Sequence, residues 1–264
     1  MDVALIVKAL ILGVVEGLTE FLPVSSTGHL IIANKLVKFD GDAATTFDIV
    51  IQLGAILGVV WEYRRRLASL LVGLRNVRER RFACNLLIAF LPAAILGLAL
   101  HRVIAEYLFS PLTVAGALIG GGFVMLAIER LPLRSAVATI DAITPGTALK
   151  VGVAQVFSLF PGVSRAAATI MGGLLAGLSR TAATEFSFFL AIPVMVAATS
   201  FEFFRNAHAM QPGDLALLAV GFGMAFVTAL IVVRLFLAYV GKHSFTAFAY
   251  YRVVLGAVAL AWFW

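Results

Sequence analysis

Charge is what this sequence has least of. Only 13% of its 264 residues are Asp, Glu, Lys or Arg, whereas 62% are hydrophobic and the mean hydropathy is +1.03. That balance excludes an ordinary soluble domain. Cysteine is nearly absent, and Cys84 alone precludes an intrachain disulfide or a thiolate metal cluster. The net charge of +6 resides in arginines beside apolar runs, a pattern of membrane topology rather than of nucleic-acid binding. No polar linker or low-complexity tract divides the chain, so a single integral membrane domain over 1–264 is expected. The start, Met1-Asp2-Val3-Ala4, lacks the basic region of a signal peptide and is expected to be retained.

What the chain does have is long apolar runs. Six of them, 45–63, 83–101, 112–130, 185–204, 214–240 and 247–264, suit a bilayer, which needs about 20 residues per helix. Two more, 3–37 and 148–178, are interrupted at Pro23 and at Pro161-Gly162. Proline removes a helix donor and disfavours the helical basin for the residue before it. Each of these two runs is therefore read as a re-entrant helical hairpin. The fold class expected is an all-α polytopic membrane protein with six transmembrane helices and two such hairpins.

The two broken runs resemble each other. Gly13, Glu16, Phe21, Pro23 and Ser26 fall on Gly152, Gln155, Phe160, Pro161 and Ser164 when one gap is allowed. One hairpin plus three spans gives each half an odd number of crossings, so the halves, about 1–130 and 140–264, form an inverted repeat. Arg64, Arg65, Arg66, Arg75, Arg78, Arg80 and Arg81 crowd one short loop, which the positive-inside rule places in the cytoplasm. The loops near 39–45, 102–111 and 205–213 then face outward, and the hairpin tips meet within the membrane.

Ionisable groups in such breaks are functional by default. Glu16 and Glu20 lie one turn apart on an apolar helix, about 5–6 Å between Cβ atoms. Two neighbouring carboxylates share a proton or hold a cation, and oxygen ligands suit Mg²⁺ or Ca²⁺. After the break, Ser25, Ser26, Thr27, Gly28 and His29 open the second helix, where free N–H groups favour an anion. His29 is one turn from Ser26 and is a candidate general base or acid. The second break places Arg165 at another helix start, behind Gly162 and Ser164, with Thr169 one turn further on to orient it. A guanidinium forks two donors toward a phosphate, although a plain ion pair with Glu16 or Glu20 is the simpler role. Asp48 and Gln52 are candidates to line the same cavity, while His101, His208 and His243 are expected in solvated loops. Glycine pairs Gly54/Gly58, Gly116/Gly120 and Gly173/Gly177 permit close helix contact, within the chain or in a homodimer.

The segments Glu16-Gly-Leu-Thr-Glu20-Phe-Leu-Pro-Val-Ser-Ser-Thr-Gly-His29 and Pro161-Gly-Val-Ser-Arg165-Ala-Ala-Ala-Thr169 resemble the signature regions of the bacterial undecaprenyl-diphosphate phosphatase family, of the bacitracin-resistance type. Phe47-Asp48-Ile-Val-Ile-Gln52 and the arginine-rich loop extend the likeness along nearly the whole chain. The family often has serine after the arginine, where this chain has Ala166. The resemblance implies a multi-pass inner-membrane hydrolase, dependent on a divalent cation, with its site facing the periplasm. Such an enzyme converts the C55 polyprenyl diphosphate to the monophosphate, which recycles the carrier for cell-wall synthesis and removes the target of bacitracin. It also implies that Glu16, Glu20, His29 and Arg165 are catalytic and Ser26 is the candidate nucleophile.

The mechanism expected on these grounds has Ser26 attack the terminal phosphorus while Arg165, the N–H groups around Ser25 to Thr27 and a cation on Glu16 and Glu20 neutralise charge. Gly162, Ser164 and Thr169 complete the substrate contacts. Direct attack by water, with Ser26 only binding phosphate, stays open. So does a different class: a carrier or flippase for a polyprenyl phosphate, or an ion-coupled transporter, since inverted repeats and broken helices are also transporter architecture.

Overall fold

The structure, a computed structural model, describes residues 3–39, 42–108, 110–206 and 215–263. His208 and much of the loop expected at 205–213 lie outside the described residues. Eleven α-helices are present among those described: α1 Val3–Thr19, α2 Ser26–Val37, α3 Asp42–Glu62, α4 Arg64–Val72, α5 Val77–Val103, α6 Pro111–Arg130, α7 Pro145–Val156, α8 Arg165–Leu175, α9 Arg180–Asn206, α10 Leu215–Val240 and α11 Thr246–Phe263. Six of them, α3, α5, α6, α9, α10 and α11, are long and apolar enough to cross a bilayer. The chain is an all-helical, multi-pass membrane protein.

Local chemistry sets most boundaries. Ser110 and Thr144 cap α6 and α7 with their hydroxyls, and Pro111 and Pro145 occupy the first helical turn, where a missing N–H costs nothing. Pro92 and Pro193 are taken up inside α5 and α9, so these helices run further than the expected 83–101 and 185–204. The arginine-rich segment is not a plain loop. Arg64–Val72 forms α4 because Leu67 and Leu70 share a face that packs on the core, while Arg64 and Arg65 point away. Arg66 and Arg78 then converge on Asp141, and Arg66 also meets Glu79.

Three helices of the broken runs are short. At about 1.5 Å per residue, α2, α7 and α8, with 12, 12 and 11 residues, reach only about 16–18 Å, well under the hydrocarbon thickness. α1 and α2 fold against each other across the Pro23 break, and α7 and α8 do the same across Pro161-Gly162. The aligned glycines make equivalent contacts: a Cβ on Gly13 would lie 2.6 Å from the Gly221 carbonyl of α10, and one on Gly152 would lie 2.6 Å from the Ala89 carbonyl of α5. α3 packs on α9 and α6 on α11. Gly54 and Gly58 press against α10, whereas Gly116 and Gly120 face open space. Behind the breaks lies an aromatic core in which Phe21 meets Phe188 edge-on at 5.6 Å and Phe82 meets Phe189 at 5.2 Å.

Candidate functional site

Both short second helices begin in the same unusual way. Ser25 (φ 72°) and Ser164 (φ 73°) sit in the left-handed region, a conformation costing about 1–3 kcal/mol for a residue with a Cβ. Each then caps its helix, Ser25 accepting from the Gly28 N–H at 3.4 Å and Ser164 from the Ala167 N–H at 3.2 Å. The structural partner of Ser164 is therefore Ser25, not Ser26 as the gapped alignment had it. Without a gap, Glu16 pairs with Gln155, Phe21 with Phe160 and Ser26 with Arg165. The paired prolines had drawn the alignment one residue out of step.

The first residues of α2 and α8 come together at Glu20. The Ser26 hydroxyl donates to Glu20 Oε2 at 2.5 Å, and Arg165 Nη2 reaches Glu20 Oε1 at 3.4 Å. Glu20 and Arg165 are 7% and 9% exposed, so this is a buried pair in which loss of one partner strands the other. Arg165 is aimed from behind. Its Nη1 donates to the carbonyl and hydroxyl of Ser187 on α9, and Thr169 Oγ1 lies 2.7 Å from the same hydroxyl while bonding the Arg165 carbonyl. Thr169 thus acts on Arg165 through Ser187. The guanidinium carbon also lies 5.7 Å from the Phe21 ring centroid.

Glu16 stands apart. Its carboxylate is 1% exposed and neither oxygen has a hydrogen-bond partner among the described residues. It faces a cavity of about 620 Å³ whose wall includes Ser26, Thr27, Asn34, Asp48 and Gln52. Asn34 Nδ2 donates to Asp48 Oδ2 at 2.9 Å, which leaves Asn34 Oδ1 and Asp48 Oδ1 buried and unpartnered. Glu20 has both oxygens engaged, whereas Glu16, Asp48 and Asn34 offer free ones. Among the described residues no three His, Cys, Asp or Glu side chains make a ready metal cage. An oxygen set of this sparse kind fits a hard cation that keeps much of its water.

His29 does not turn toward Ser26. Its Nδ1 lies 2.7 Å from the Ser25 carbonyl and its Nε2 lies 2.7 Å from the Tyr251 hydroxyl, with the two rings stacked. His101 is in the last turn of α5 rather than a solvated loop, 3.8 Å from Glu202 on α9. His243 is exposed, as expected, in the turn after α10.

The residue that sequence reasoning missed is Arg252 on α11, which is fully buried. Its Nη1 donates to the carbonyls of Pro23 (3.3 Å) and Val163 (2.7 Å), and its Nη2 to those of Gly162 (3.0 Å) and Ala117 (3.2 Å). One guanidinium thus ties both breaks to each other and to α6. Gly162, at φ 94°, presses so close to Val114 of α6 that a Cβ would clash with its carbonyl. The available signal was an arginine set in an otherwise apolar span.

A buried carboxylate bonded to a hydroxyl, a fixed guanidinium and two helix starts thus border a cavity with spare oxygens, an arrangement chemically suited to a phosphorylated anion. The chain belongs to the family described as bacitracin resistance protein BacA, whose profile matches residues 9–258. It is 54% identical, over the full length of both chains, to an undecaprenyl-diphosphatase of Methylobacillus flagellatus. It is 53% identical to undecaprenyl-diphosphatase 1 of Stutzerimonas stutzeri, covering 99% of this chain and 95% of the relative. It is likewise 53% identical to undecaprenyl-diphosphatase 2 of Rhodospirillum rubrum, covering 100% and 97%.

Proposed function

We propose that this chain hydrolyses undecaprenyl diphosphate to undecaprenyl phosphate and inorganic phosphate. Family membership and the consistent name of full-length relatives support the reaction. The hydrogen bond from Ser26 to Glu20, within reach of Arg165, carries the mechanism. The diphosphate enters the cavity beside Ser26, where the N–H groups opening α2 and the Arg165 fork take its negative charge. Ser26 Oγ bonds to the terminal phosphorus as the bond to the bridging oxygen breaks, and Glu20 accepts the hydroxyl proton. Undecaprenyl phosphate leaves. Water then attacks the phosphoserine, Glu20 returns the proton to Ser26, and inorganic phosphate is released. The base in this scheme is Glu20, which accepts the Ser26 hydrogen bond, rather than His29, which is engaged by Ser25 and Tyr251.

A divalent cation would be held by Glu16 with Asp48 and Asn34, whose buried free oxygens line the cavity, and it would supply charge neutralisation to the phosphates. This set keeps Glu16 of the expected Glu16–Glu20 pair and puts Asp48 and Asn34 in place of Glu20, whose two oxygens are engaged by Ser26 and Arg165.

The re-entrant reading of both hairpins and the inverted repeat rest on the short α2, α7 and α8, the equivalent contacts of Gly13 and Gly152, and the matching left-handed serines. The periplasmic orientation rests on the arginine-rich segment, which lies at the ends of α3 and α5 remote from Asp48 and His101. Phosphate release from undecaprenyl diphosphate by the detergent-purified protein, with and without EDTA, tests the reaction. Ser26→Ala tests the nucleophile: loss of turnover by about 10³-fold or more is expected, whereas substantial residual hydrolysis favours direct attack by water.

A further inference from the structure

A second hollow adjoins the polar cavity. It is a groove of about 290 Å³ between α5 and α9, walled by Phe90, Ala94, Gly97, Leu98, Val194 and Ala198 and floored by Leu159 of the second hairpin. The two hollows share His101, Ile104 and Glu202, and the His101–Glu202 pair at 3.8 Å spans their junction from α5 to α9. Small side chains hold the groove open. A Cβ on Gly97 would meet only Leu159, at 3.2 Å. Leu98, at 66% exposed, and Phe201 keep its outer rim apolar. Ser158, its other polar residue, already donates to the Gln155 carbonyl.

The substrate is an amphiphile whose charged end and isoprenoid chain are joined directly. Glu16, Asp48 and Asn34 make the first cavity suited to the charged end, and the isoprenoid chain needs an apolar exit beside it. The α5–α9 groove adjoins that cavity and, beyond the His101–Glu202 junction, is walled almost wholly by apolar side chains. We propose that it seats the isoprene units nearest the diphosphate, with the His101–Glu202 pair marking the boundary between head and tail. This inference rests on the placement of the diphosphate beside Ser26.

A prenyl diphosphate carrying a diazirine on its second isoprene unit tests it by photolabelling of the purified full-length protein. Label is expected on peptides covering 90–101 and 194–202, and excess undecaprenyl diphosphate should compete it away. Gly97→Leu, a better helix former that fills the groove, should cut labelling and raise KM for undecaprenyl diphosphate about tenfold with little change in kcat. Val124→Leu, on the exposed face of α6, is the control and should change neither. Competed label found elsewhere, or label in the groove that the competitor does not displace, would overturn the tail assignment. An unchanged KM in Gly97→Leu would do the same. Competed label at Ser26 and Thr27 with none on α5 or α9 would spare the catalytic site and reject only the groove.

Discussion

Replacing Arg252 by methionine should disable the enzyme without touching any group that meets substrate. Methionine matches much of the buried stem but offers no donor, so the carbonyls of Pro23, Ala117, Gly162 and Val163 lose their shared guanidinium. At about 1 kcal/mol per stranded carbonyl, the low end for turns that can relax, the loss is about 4 kcal/mol. Release from burying a charge offsets part of that. The two breaks are then free to part, and a misplacement of about 1 Å between Ser26, Glu20 and Arg165 lowers turnover by about 100-fold. Phosphate release and thermal unfolding, measured on the same detergent-solubilised sample, should both fall. Arg252→Lys keeps the charge but not the fork and should lie between the two. Gly121→Ala is an independent check, because its new Cβ would sit 2.2 Å from Arg252 Nη2 and push the guanidinium aside. Parental turnover and an unshifted thermal midpoint in Arg252→Met would refute the reasoning.

Other outcomes follow from the same geometry. Arg165→Lys replaces the fork to Glu20 and Ser187 with a point charge and should cost about 10²–10³-fold in kcat, read in the phosphate-release assay. Glu16→Gln copies the side chain found at Gln155 and should leave folding intact while raising the Mg²⁺ concentration needed for half-maximal activity. An unchanged Mg²⁺ dependence would take Glu16 out of the proposed cation site. Asp141 is held below its ordinary carboxylate range chiefly by the hydrogen bond from Arg78, with Arg66 adding to it. Its folded pKa is depressed, so its contribution to stability is complete above 3.8 and fades as pH falls through the folded value. Thermal unfolding followed downward from pH 6 should show that loss in the parent and not in Asp141→Asn.

The six spans were legible because apolar length is a one-dimensional property, and the breaks were legible because proline and glycine act locally. The meeting of Glu20, Ser26 and Arg165 was legible for a chemical reason: charges placed in apolar surroundings have few partners to choose from. What was not legible depends on three-dimensional neighbours. Arg252 serves backbone carbonyls, which no side-chain pattern records. His29 turns to Tyr251, 222 residues away, because α11 lies beside α2. The one-residue error at Ser26 and Ser164 came from matching prolines, whereas the shared feature is a left-handed serine. α4 was hidden because it opens on three consecutive arginines, which marked the whole segment as a loop.

Ser26 and Arg165 occupy one and the same place, the opening residue of a helix capped by a strained serine. Around them the two ends run parallel, down to the buried Glu16 and Gln155 and the tight glycines. The chemistry proposed above lies where that likeness stops. One end presents a hydroxyl oxygen and the other a permanent cation, so two copies of either end alone would lack half of the proposed catalyst.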